Sequence, residues 1–189
     1  MMADELSAPS LRPNFTVLIG GTGFAALLSF IYLPWPLAIA STWLNFLMIA
    51  GADVDARTFL LPDAVTYGAI VSGIVAAPLL DVVDPLRAIG LAILRAGGMG
   101  LLLILLRHSY ARLRKTEGLG LGDVKLAAAV GAWLPVETIP MCFGLATTAA
   151  LVFVLIRGRK QKLDELKLPF GAFLCPALWL VFFVTSLPR

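Results

Sequence analysis

Apolar stretches recur along this chain at 15–33, 36–54, 64–80, 86–106, 122–134, 137–156 and 169–187, separated by short polar or proline-bearing breaks. A bilayer core of about 30 Å needs roughly 20 predominantly apolar residues per crossing helix, and six of the stretches approach that length. With 59% of the 189 residues hydrophobic, 14% charged and a mean hydropathy of +0.90, the composition excludes an ordinary soluble domain. The fold class that follows is all-α: a polytopic membrane helical bundle of about seven spans (six to seven), with the lipid bilayer as its solvent. The stretch at 122–134 is shorter than a crossing requires. It is expected to be tilted, partly re-entrant, or extended by the glycines that precede it.

Residues 1–14 hold two acids and one arginine before the first apolar run, unlike the basic start of a cleaved secretory signal, and they are expected to be a retained cytoplasmic tail. Residues 15–189 then form a single membrane-embedded domain. Cys142 and Cys175 fall inside predicted spans without CxxC spacing, which suggests neither a zinc ribbon nor a disulfide framework; buried free thiols are the expectation. His108 stands alone in the basic stretch "RHSYARLRK", and one histidine does not make a zinc site. "GGTGFAA" at 20–26 lies within a span and follows no strand, so it suits helix packing through small residues better than a nucleotide loop. No cofactor or metal is expected.

Positive residues in short loops stay on the cytoplasmic side. Arg12, Arg57, the group Arg107, Arg112, Arg114 and Lys115, and the group Arg157, Arg159, Lys160, Lys162 and Lys167 fall in alternate connections, and the intervening ones carry only Arg87. All basic segments share one face if seven spans are present, which puts the N-terminus in the cytoplasm. Removing the short fifth span would set the two richest basic segments on opposite faces. Membrane anchoring accounts for the net charge of +3, and no nucleic-acid partner is needed.

Of the 12 acids, Asp4, Glu5, Asp81, Asp84, Glu137, Asp164 and Glu165 occupy the tail or the loops. The remaining five gather at two places on the basic side: Asp53, Asp55 and Asp63 around the end of the second span, and Glu117 and Asp123 before and at the start of the fifth. Ionisable groups at membrane depth pair, face a wet cavity, or do chemistry. Asp53 and Asp55 are two residues apart and cannot share a helix face, so only one of them is expected to meet Asp123. Asp63 follows Pro62 at the start of the third span, where the helix dipole favours an acid. Gly120 and Gly122 flank Leu121 just before Asp123 and leave room for close approach of backbone or an extended peptide. Lys125, two residues beyond, should not face Asp123, and suits an interfacial side chain or a contact to substrate or headgroup. Arg95, inside the fourth span, is expected in an ion pair within the bundle.

"DARTFLLPDAVT" at 55–66, "GLGDVKLAAAVGAWL" at 120–134 and "LPFGAFLCPALWL" at 168–180 resemble, in the same order, the D-x6-P-[DN], GxGD-x-K and I-P-F-G-P-F-L elements of the type IV prepilin leader peptidases. The resemblance covers essentially residues 15–187. It implies a GxGD-type membrane aspartyl protease whose two catalytic aspartates are distant in sequence, here Asp55 and Asp123. It also implies a prepilin or pseudopilin substrate, cut after a glycine that ends a short basic leader, in a bacterial inner membrane. The chain has neither the N-terminal CxxC region nor the added span of the bifunctional members, so it resembles the short, peptidase-only form. Pro176-Ala177-Leu178 spells the tripeptide of presenilin-type proteases, but in a context similar to the prepilin family.

Amide hydrolysis by water needs one group to take a proton from water and another to give one to the carbonyl oxygen or leaving amine. Two carboxylates about 3 Å apart do not both ionise readily, and so hold one proton between them. A basic leader would be repelled by the basic loops unless it ran past acids; Asp53, Asp63 and Glu117, with Gly120 and Gly122, are the candidate substrate contacts. Three alternatives stay open on the residues alone. A transporter or channel also places carboxylates within broken, Gly-rich helices. A structural protein would pair Asp123 with an arginine such as Arg95. A divalent cation would be held by Asp53, Asp55, Asp63 and Asp123.

Overall fold

A computed structural model describes residues 12–81, 83–114, 120–158 and 168–188. They form α1 (Phe15–Tyr32), α2 (Trp35–Thr58), α3 (Asp63–Leu80), α4 (Pro85–Arg114), α5 (Leu121–Trp133), α6 (Ile139–Gly158) and α7 (Gly171–Thr185), with no strand among the described residues. The starts are written in the sequence. The Asn14 carboxamide caps α1 by accepting the Thr16 N–H at 3.1 Å, Pro36 falls in the first turn of α2, and Asp84 accepts the Arg87 N–H at 3.1 Å as α4 begins.

Helices α1, α2, α3, α4 and α6 are long and apolar enough to cross a bilayer, and α7 is a shorter apolar helix. The protein is a multi-pass membrane protein of the all-α class. Large side chains such as Phe24, Leu94 and Ile156 are exposed on its flanks, as lipid-facing surfaces require. The core is built of Leu44, Met48, Leu126, Val130, Leu174, Leu178 and their neighbours from α2, α5 and α7.

Helix α5 has 13 residues, about 20 Å at the usual rise, so it does not cross alone. It is packed against α3, α4 and α7, and eight of its residues are buried. A helix apolar on all sides is stable when enclosed by protein, where its ends need not reach headgroups. Gly131 lets α4 lie directly on it, since any Cβ there would strike the Arg95 carbonyl. Arg95 Nε donates to the Gly131 carbonyl at 3.2 Å, capping one of the carbonyls left free at the α5 C-terminus. The charge in the fourth span thus serves the end of α5 remote from Asp123, with Glu137 as its electrostatic counterpart. It is not the partner of Asp123 that one alternative required.

Two boundaries differ from expectation. Helix α4 continues to Arg114, so Arg107, His108 and Arg112 ride on a helix rather than in a loop. Its 30 residues measure about 45 Å, more than the bilayer core, and the excess carries those basic residues beyond the apolar layer. Helix α2 continues to Thr58, because neither Asp53 nor Asp55 interrupts its backbone bonding. It stops at Phe59, which is left-handed at φ 56° and ψ 24°. A bulky residue there is strained by about 1–2 kcal/mol relative to glycine. The turn leads through Leu60, Leu61 and Pro62 into α3 at Asp63.

Candidate active site

Asp55 lies in the last turn of α2 and is the one buried charged residue among those described, at 5% exposure. Burial follows from the packing of α2 against α7, whose first turn meets the carboxylate. The Ala172 N–H donates to Asp55 Oδ2 at 2.8 Å, and the Gly171 N–H also bonds this carboxylate. A Cβ on Gly171 would lie 2.8 Å from Oδ2 and 3.0 Å from Cγ, so only glycine admits this approach. The N–H groups of a helix's first turn have no intrahelical acceptor and are suited to receiving a carboxylate.

Asp123 lies in the first turn of α5, half-buried, with the Gly120 N–H bonded to its carboxylate. Gly120 is the extended residue that begins the helix, at φ −70° and ψ 151°. Gly122 faces Leu61, whose Cβ would stand 3.1 Å from a Cβ placed there, and the same Leu61 touches the position a Gly171 side chain would occupy. One leucine from the α2–α3 turn thus lies against the starts of both α5, which carries Asp123, and α7, which meets Asp55. The two carboxylates are near enough that the charge of Asp55 acts on Asp123, and both act on Cys175, a buried residue of the core.

The other acids point elsewhere. Asp53 is on a different face of α2, where Oδ2 accepts Arg57 Nη2 at 2.6 Å and the Asn14 N–H at 2.7 Å. Arg57 Nη2 also donates to the Arg12 carbonyl at 2.8 Å, so this cluster ties the start of α1 to the end of α2. Asp63 sits in the first turn of α3, as its place after Pro62 implies, and its carboxylate pairs with Lys125 Nζ at 2.6 Å. The Lys125 ammonium also stands 4.8 Å from the Tyr67 ring centroid, away from Asp123. Glu117 lies outside the described residues. The four aspartates do not gather as one cluster: Asp53 and Asp63 are each drawn to a cation. Gly171 and Ala172 were missed by sequence reasoning as site residues. The glycine in "LPFGAFL" was the available signal, but nothing local says that it will meet an aspartate from α2.

The description "Type IV leader peptidase family" belongs to a family model that matches residues 39–155, a segment holding both Asp55 and Asp123. The chain belongs to the type IV leader peptidase family. It is 36% identical over 162 residues to leader peptidase HopD of Salmonella typhimurium, covering 82% of this chain and 97% of that protein. It is 34% identical over 173 residues to the prepilin leader peptidase/N-methyltransferase of Burkholderia pseudomallei, covering 90% of this chain and 50% of the relative. For the Aeromonas salmonicida protein of the same name, the identity is 30% over 146 residues, 75% of this chain and 48% of the relative. The chain spans about half the length of these two prepilin leader peptidase/N-methyltransferases. No solved structure gives a significant match. Two neighbouring carboxylates at the ends of packed helices are suited to acid–base hydrolysis, one group taking a proton while the other gives one. Family membership decides against the transporter or channel alternative.

Proposed function

We propose that the chain is a membrane-embedded aspartic endopeptidase that removes the leader of type IV prepilins or pseudopilins, with Asp55 and Asp123 as its catalytic pair. The apposition of these two carboxylates, from the last turn of α2 and the first turn of α5, carries this reading. Water adds to the scissile carbonyl carbon as one aspartate takes its proton and the other protonates the carbonyl oxygen. The resulting diol collapses as the protonated partner gives its proton to the leaving nitrogen and the other carboxylate recovers one from the diol. One carboxylate and one carboxylic acid remain, ready for a second turn.

Residues 1–14 are read as a cytoplasmic tail and 15–189 as one peptidase domain. Arg12, Arg57, Arg107 and Arg157 set the N-terminus and the aspartate pair toward the cytoplasm of a bacterial inner membrane. A peptide bond just before the apolar helix of a substrate would meet the pair at that boundary. Asp53, Asp63 and Glu117 are the acids along which a basic leader would run, and Gly120 and Gly122 leave space for its backbone. The test is co-expression of a type IV prepilin with wild type, Asp55→Asn and Asp123→Asn, followed by the mobility shift of the cleaved pilin. Cleavage by wild type and by neither variant supports the pair; cleavage by either variant refutes it.

A further inference from the structure

Asp55 is placed by an element remote in sequence from both aspartates. The carboxylate stands at the end of α2, where free carbonyls and the negative end of the helix dipole oppose it. Opposite lies the first turn of α7, with the reverse polarity. The Ala172 N–H reaches Oδ2 at 2.8 Å while also lying 3.2 Å from the Pro169 carbonyl, so it is shared between its own turn and the aspartate. Gly171 adds a second N–H and, having no side chain, leaves the carboxylate the space it occupies.

We propose that the first turn of α7 is a positioning element for catalysis: Gly171, by its missing side chain, and Ala172, by its N–H, hold the Asp55 carboxylate in the orientation that faces Asp123. This rests on the aspartic peptidase reading above. With Oδ2 engaged by α7, Oδ1 is the oxygen left for water or substrate, so the rotamer of Asp55 is fixed before substrate arrives. Cleavage therefore depends on three segments of the chain, the ends of α2 and α5 and the start of α7, of which the third contributes no acid.

Two contacts would meet a new methyl group at Gly171, the Asp55 carboxylate and the Leu61 side chain, and they make different predictions. If Gly171 serves only to pack against Leu61, then Leu61→Ala relieves the collision. If it serves Asp55, shortening Leu61 changes nothing. The experiment compares wild type, Gly171→Ala, Leu61→Ala, the double variant Leu61→Ala with Gly171→Ala, and Ala172→Pro, all purified as the full chain in detergent. Proline is tolerated in a helix's first turn and removes the donor without breaking α7. Gly144→Ala, on α6 with open space at its Cβ, reports on methyl addition alone.

Each variant is assayed for kcat and KM on a type IV prepilin, and Asp55 is followed by carbodiimide labelling and mass spectrometry, which needs no turnover. Gly171→Ala and Ala172→Pro are expected to lose about 100-fold in kcat, the scale of a misplaced catalytic group, with KM within about threefold. The double variant should stay equally far below Leu61→Ala. Asp55 should label several-fold faster in Gly171→Ala and Ala172→Pro than in wild type or Gly144→Ala. Rescue by Leu61→Ala, or unchanged labelling of Asp55, overturns the proposal. If wild type cleaves no prepilin while the labelling pattern holds, the peptidase reading fails and the positioning of Asp55 by α7 stands.

Discussion

The two ends of α5 solve opposite problems with the same few residue types. At its C-terminal end, Trp133 Nε1 donates to the Ala69 carbonyl at 2.7 Å and the Gly131 carbonyl accepts Arg95 Nε at 3.2 Å, so polar groups are bonded to neighbours and the helix is anchored. At its N-terminal end, Asp123 faces another carboxylate, an arrangement that opposes folding and favours proton transfer. A glycine permits the close approach at each end, Gly131 to the backbone of α4 and Gly122 to Leu61. An enclosed helix that cannot span the membrane alone has one end bonded to its neighbours and, on the proposed function, the other given to chemistry.

The largest effect is expected from neutralising the N-terminal end of α5. Asp123→Asn is expected to lower leader cleavage by about 1,000-fold or more while the melting temperature of the purified protein holds or rises, because a repulsion is removed. A variant that melts earlier would show the aspartate to be structural. Gly131→Ala tests the other end and should do the reverse. Overpacking against the Arg95 backbone costs about 1–3 kcal/mol, seen as a lower melting temperature, while cleavage per folded molecule stays within severalfold of wild type. Trp133→Phe, which removes the indole N–H bonded to the Ala69 carbonyl, should lower stability by about 0.5–1.5 kcal/mol in the same assay.

Smaller effects sharpen the boundary of the working end. Lys125→Ala or Asp63→Ala unties the first turns of α5 and α3 and is expected to slow cleavage by about threefold, the modest scale of a partly exposed ion pair. Exchange of the two charges, Asp63→Lys with Lys125→Asp, should recover most of that loss; failure to recover would point to direct contact with substrate. Asp53→Ala is expected to have the least effect on cleavage, a rise of less than about threefold in KM from one weakened leader contact, because its carboxylate is already engaged by Arg57 and Asn14 on another face of α2. A loss as large as that of Asp55→Asn would reverse the assignment of the pair.

Much of the bundle was legible because bilayer thickness imposes a length on apolar segments. The helices fall on the seven predicted stretches, and the short fifth one is present as α5. The extension of α4 to Arg114 was not legible, since a hydropathy boundary marks where apolar residues end and not where backbone hydrogen bonding ends. At the site, the separation of Asp53 from Asp55 followed from helix geometry, and the structure gives them different surroundings. The Asp63–Lys125 pair joins residues far apart in the chain, and no local pattern announced it.

Hydrophobic length and charge placement are properties of short windows, and they suffice to make this a membrane-spanning all-α chain with five of its 12 acids gathered at two places. The packing of α7, which sets Gly171 against Asp55, and of Leu61, which lies against both Gly122 and Gly171, is a matter of tertiary structure. Those contacts depend on how separate helices pack against one another, where a single absent side chain allows an approach that no window of sequence describes.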